Sequence, residues 1–80
     1  MRDIICEKLK FLREKNDYSQ EDVADALHIS QNTYSLLETG KTKLDIERLF
    51  EIAEFYKVPV YYLLDIPPAP AKKDKYLLKN

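Results

Sequence analysis

One stretch, Ser19 to Lys41 (SQEDVADALHISQNTYSLLETGK), limits this chain more than any other. It carries two helix-start signals with a short break between them. Ser19 can cap a first helix by accepting a free backbone N–H, and Asp22, three residues on, gives a weaker form of the usual Glu/Gln capping box. Val23, Ala24 and Leu27 supply that helix with apolar residues at helical spacing. Leu27-His28-Ile29-Ser30 is the turn, and Ser30 caps a second helix that ends at Gly40, the residue best suited to a left-handed helix C-terminus.

At about 100° per residue the second helix divides into two faces. Thr33, Tyr34 and Leu37 share the arc expected to meet the core. Gln31, Asn32, Ser35, Leu36 and Thr39 share the opposite arc, which bears amides, hydroxyls and one aliphatic group but no charge. Gln and Asn can pair in bidentate fashion with adenine in a DNA major groove, and an aliphatic group can touch a thymine methyl. An ordinary solvated helix face would have the same composition, so the pattern alone leaves both readings open.

The stretch resembles the helix-turn-helix of the lambda-repressor and Cro-like (XRE) family. The likeness spans roughly residues 4–64 and is carried by Leu12-Arg13, Ser19-Gln20, Ala24, Leu27, Ile29-Ser30, Thr33, Leu37-Glu38 and Gly40-Lys41, then Leu49, Ile52-Ala53, Val58 and Leu63-Leu64. The resemblance implies an all-α domain of five helices, with the helix-turn-helix at the second and third, that binds a near-palindromic operator in double-stranded DNA as a homodimer. It implies base contacts from Gln31 and Asn32, with Ser35 and Leu36 secondary. It implies backbone contacts from Gln20, Lys41, Thr42 and Lys43. It also implies an ion pair between Arg13 and Glu38 that ties the first helix to the end of the recognition helix. Leu36 departs from the Arg, Lys or Gln often found there, and either reads a thymine methyl or belongs to a protein contact.

The rest of the chain is read around this unit. A first helix is expected over Ile4–Lys15, with Ile5, Leu9 and Leu12 as its stripe and Ile4 and Phe11 flanking it. Asn16-Asp17 ends that helix and Tyr18 returns to the core. Asp45 caps a fourth helix, Ile46 to Tyr56, with Leu49, Ile52, Ala53 and Tyr56 inward. Lys57 stands where the family often has Gly. A fifth helix, Pro59 to Leu64, starts at a proline whose missing N–H has no partner in a first turn. No strand pattern is present. Residues 1–65 are thus the expected domain, and 66–80 a Pro-rich linker with a basic tail. That tail is open to three readings: a free tail, a short oligomerisation helix using Tyr76, Leu77 and Leu78 or another protein contact, or the start of a further domain.

At 80 residues the chain suits one small domain. No run is long and apolar enough to span a membrane, and no secretory signal is evident. The single cysteine, Cys6, excludes an intrachain disulfide and fits a reducing cytoplasm, where it reads as packing. One Cys, one His and one Gly give little material for a metal site, a nucleophile–base pair or a phosphate-cradling loop, so no enzymatic activity, metal or cofactor is expected. His28 reads as a turn residue, since His accepts positive φ more readily than most.

Charge argues against DNA binding. The net charge is −1, from 13 basic and 14 acidic residues. No Lys or Arg lies between Asn16 and Gly40, where Asp17, Glu21, Asp22, Asp25 and Glu38 all occur. Glu21 and Asp22 suit the first turn of a helix, and Lys8, Lys10, Lys15, Lys41 and Lys43 can form a basic rim. A protein-interaction module on the same scaffold, such as an antitoxin or anti-repressor, is the alternative. Surplus aromatics Phe55, Tyr61 and Tyr62 are candidates for a dimer surface or, equally, local cover for a small core.

Overall fold

A computed structural model describes residues 2–66 and holds five helices: α1 (Arg2–Lys15), α2 (Gln20–Ala26), α3 (Gln31–Glu38), α4 (Ile46–Tyr56) and α5 (Val60–Leu63). No strand occurs among the described residues. Of the expected linker and tail, 66–80, all but Ile66 lie outside them.

Side chains close the helix starts. Ser19 Oγ accepts from Asp22 N at 3.0 Å and Asp22 Oδ2 accepts from Ser19 N at 2.8 Å, so Asp22 completes a full capping box on α2. Ser30 caps α3 by accepting from Thr33 N at 3.0 Å, and its hydroxyl donates to Thr33 Oγ1 at 2.8 Å. Thr33 is therefore an exposed part of the cap and not a core residue. Asp45 caps α4 through Arg48 N at 2.8 Å. Pro59 stands just before α5 with ψ 151°, outside the helix it was expected to start.

The five helix ends repeat one device. Asp17, His28, Gly40, Lys57 and Asp65 all have φ between 58° and 77°. Each follows its helix, donates to a carbonyl three residues back, and is followed by a residue donating five residues back; Tyr18 to Arg13 and Ile29 to Ala24, both at 3.0 Å, are two of these. This is the Schellman closure, which needs a left-handed residue at its corner. Gly40 is the only glycine in the chain, so four closures use residues with a Cβ.

Leu9 and Leu12 of α1, Val23 and Ala24 of α2, Tyr34 and Leu37 of α3, Leu49, Ile52 and Ala53 of α4 and Leu63 of α5 are buried together with Leu27. Phe11, expected to flank the α1 stripe, and Tyr18, expected in the core, lie elsewhere. Phe11 is 52 % exposed, its ring approached by the Lys15 ammonium at 5.7 Å. Tyr18 is 38 % exposed and covers α4 from outside, its ring 5.5 Å from Phe55 and 6.4 Å from Tyr56. The closure at Asp17 accounts for this: it turns the chain across the end of α1 before α2 begins.

Candidate nucleic-acid interface

The site is built on α3, whose position is set from behind by a polar cluster. Arg13 Nε donates to Glu38 Oε2 at 2.8 Å and Arg13 Nη2 to Oε1 at 2.9 Å, a bidentate pair across α1 and α3. Arg13 Nη1 also donates to the Tyr18 carbonyl at 3.1 Å. Gln20 Nε2 donates to Glu38 Oε1 at 3.3 Å, which brings α2 into the same cluster. Glu38 is 7 % exposed. Burial pushes its carboxyl pKa up, but hydrogen bonds from Arg13 and Gln20 and the Arg13 charge outweigh that, and the group ends below its ordinary value. The Arg13 guanidinium is raised in turn, chiefly by its hydrogen bond to Glu38. Tyr34 and Tyr56 bury their hydroxyls in the core, and that of Tyr34 adds to the groups that hold the Glu38 carboxyl low. Burial, helped by the Glu38 charge, pushes Tyr56 up to about 12.

On its outer side α3 presents Gln31 and Asn32, both exposed and making no hydrogen bond among the described residues. Ser35 and Leu36 are half-buried beside them. Thr39 folds back, its hydroxyl donating to the Ser35 carbonyl at 2.8 Å. The open part of the face is therefore the first turn of α3. Just beyond the helix, Lys41 and Lys43 are exposed and Thr42 is half-buried.

The other candidates are distributed differently from the sequence reading. Lys8 does not join a rim: its ammonium donates to the Tyr62 carbonyl at 2.9 Å and to Asp65 at 3.0 Å, and stands 4.1 Å over the Tyr62 ring. It clasps α1 to the end of α5. Tyr62 is half-buried, packed against the core. Phe55 is half-buried against Tyr18 and Tyr56, with ring centroids 4.8 Å from Tyr56. Of the three aromatics considered for a dimer surface, Tyr61 is the exposed one, at 45 %. Arg48, given no role by the sequence, donates to the Leu27 carbonyl at 3.4 Å and pairs with Glu51 at 2.8 Å, bracing α4 against the α2–α3 turn. Only its place one turn after the Asp45 cap and three residues before Glu51 hinted at this.

Two capped helices joined through a left-handed residue, the second held rigidly from behind and open at its first turn, define a helix-turn-helix protein. A family model described as helix-turn-helix matches residues 9–63. The chain belongs to that family, in its lambda-repressor/Cro-like (XRE) branch. It is 35 % identical over 57 residues to the cryptic phage CTXphi transcriptional repressor RstR of Vibrio cholerae, covering 71 % of this chain and 51 % of that one. It is 36 % identical over 61 residues to the HTH-type transcriptional regulator DdrOP3 of Deinococcus deserti, covering 76 % and 47 %. An uncharacterized HTH-type transcriptional regulator, MJ0272 of Methanocaldococcus jannaschii, is 36 % identical over 53 residues, or 66 % of this chain and 80 % of its own. The chain spans about half the length of the first two. No solved structure gives a significant match.

Proposed function

We propose that this chain is a sequence-specific DNA-binding transcriptional regulator, acting as a repressor, that places α3 in the major groove. The observation that carries the reading is the pair of exposed, unbonded amides of Gln31 and Asn32 on a helix fixed by the Arg13–Glu38–Gln20 cluster. A rigid support removes the cost of ordering the backbone, although the amide side chains themselves lose rotamer freedom on pairing with adenine, and each good bidentate contact discriminates by about 1–3 kcal/mol. Lys41 and Lys43 then meet phosphates, with Thr42 beside them. Gln20 reaches the backbone only to the extent that Glu38 leaves it free. Leu36, half-buried along one side of the face, suits a thymine methyl. The names of the relatives, repressor and transcriptional regulator, point the same way. No enzymatic role is proposed.

One such domain reads few base pairs, so the working unit is a homodimer on a near-palindromic operator, its recognition helices about 34 Å apart, with residues 1–65 as the reading domain and the cytoplasm as its compartment. Selection of bound duplexes from a random pool tests this. A near-palindrome should be enriched, and Gln31→Ala should lose about 1–3 kcal/mol on it while relaxing one base position per half-site. A pool without enrichment refutes the regulator reading. An equal loss on every sequence would reassign Gln31 to the backbone.

A further inference from the structure

A groove of about 490 Å³ follows α4 to its junction with α5, walled by Phe50, Ala53, Val58, Pro59 and Val60 with Glu51 and Glu54 at its rim. Phe50 is 56 % exposed, and Ile46, one turn earlier on the same helix, 66 %. Two large apolar side chains a turn apart, running into an apolar trough, are more than the scattered exposure of a small domain. The rim is acidic. Glu54 is exposed and in no ion pair among the described residues, Glu51 shares its charge with Arg48, and the exposed Glu47 precedes Glu51 by one turn of α4, outside the groove lining.

Charge divides the chain in a complementary way. Of its 13 basic and 14 acidic residues, Lys72, Lys73, Lys75 and Lys79 and the single acid Asp74 lie beyond Ile66, so nine basic groups face thirteen acidic ones before it. The segment Lys75-Tyr76-Leu77-Leu78-Lys79 sets three apolar side chains between two lysines, the inverse of an apolar trough with an acidic rim. The chain also leaves the fold beside the groove: the Ile66 N–H donates to the Tyr61 carbonyl at 2.9 Å, one residue from Val60 of the groove wall. The residues between Ile66 and Tyr76 could span about 30 Å even as a polyproline helix, at about 3.1 Å each. A tether this short holds its end at an effective concentration in the mM range, so a modest match suffices.

We propose that the segment Lys75–Lys79 of the same chain seats in the Phe50–Val60 groove, its apolar side chains on the floor and its lysines against Glu47, Glu51 and Glu54. A purely phosphate-binding tail would use the lysines and leave Tyr76, Leu77 and Leu78 without a role.

Amide NMR spectra of the whole chain test this. In a Leu77→Asp/Leu78→Asp variant the resonances of Phe50, Glu51, Glu54, Val58 and Val60 should move, while those of Gln31 and Asn32 stay. Phe50→Glu, at an exposed position, should move the resonances of Tyr76 to Lys79 in return. Unmoved groove resonances in the tail variant would overturn the proposal. So would groove shifts accompanied by a dimer mass that falls to the monomer in the tail variant, since the segment would then sit on a second copy. A tail variant that weakens DNA binding while the groove resonances stay fixed would assign the segment to DNA instead.

Discussion

Glu38 is the residue on which most else converges. It is nearly buried, bound by Arg13 through two hydrogen bonds and by Gln20 through a third, and it terminates α3. Removing one partner of a buried pair leaves the other charge without compensation, so Arg13→Ala or Glu38→Ala should cost about 3–5 kcal/mol in denaturant unfolding. The pair also sets an acid limit. A carboxyl held lower in the folded chain than in the unfolded one stabilises fully above the unfolded value, near 4.5, and progressively less as pH falls through the folded value. Stability should thus fall on acidification below about pH 4.5, and a Glu38→Gln variant should lose that part of the pH dependence; an unchanged acid limb would show that other carboxylates govern it. Both residues were legible in the sequence through the family likeness. The third arm was not: Gln20 read as a phosphate contact, because nothing local reveals that its amide faces Glu38.

At the scale of the element, the repeated helix ending is the informative feature. Asp17, His28, Lys57 and Asp65 hold φ values near 60° that cost an ordinary residue roughly 1–2 kcal/mol relative to right-handed backbone. The residue after the corner is apolar at four of them (Tyr18, Ile29, Val58, Ile66), and Ile29 and Val58 pack against the core. Lys57→Gly, at an exposed corner between α4 and α5, should therefore stabilise by about 0.5–1 kcal/mol after the entropy glycine adds to the unfolded chain. A rise in Tm of a few degrees would register it, and no rise would mean that the Lys57 stem contributes packing of similar size. Gly40→Ala should do the reverse, because its φ is 77° and the new Cβ would lie 3.3 Å from Cys6 Sγ. The starts of α2, α3 and α4 were readable residue by residue, since Ser19, Ser30 and Asp45 act within their own turns. The ends were readable at Gly40, at His28 and at Asn16-Asp17, but the left-handed backbone of Asp17 and Asp65 was not, because their side chains permit that corner without demanding it.

For the whole molecule, charge and assembly decide the behaviour on DNA. With Lys8 committed to Asp65 and Tyr62, the exposed cations that follow α3 are Lys41 and Lys43. Two neutralised phosphates give a salt slope of about −2 per subunit, shallow for a repressor. Lys41→Ala should reduce the slope by about 1 and weaken all duplexes alike; a sequence-dependent loss would place Lys41 among the base readers. Assembly is tested at the surface the fold leaves bare. Tyr61→Ser should lower the association seen in concentration-dependent mass if that surface pairs subunits, and a chain that stays monomeric at high concentration would remove the homodimer.

The sequence by itself determined the helix count, the capped starts, the left-handed turn at His28 and the uncharged outer face of α3, because caps, turns and helical periodicity act over three or four residues. Tertiary structure alone decided that Thr33 serves the cap, that Phe11 and Tyr18 stay partly in water, that Lys8 reaches Asp65, and that Ile46 and Phe50 are left bare. Those outcomes depend on how five short helices share a core too small to cover every apolar side chain, and on contacts between residues far apart in the chain, which no local pattern encodes.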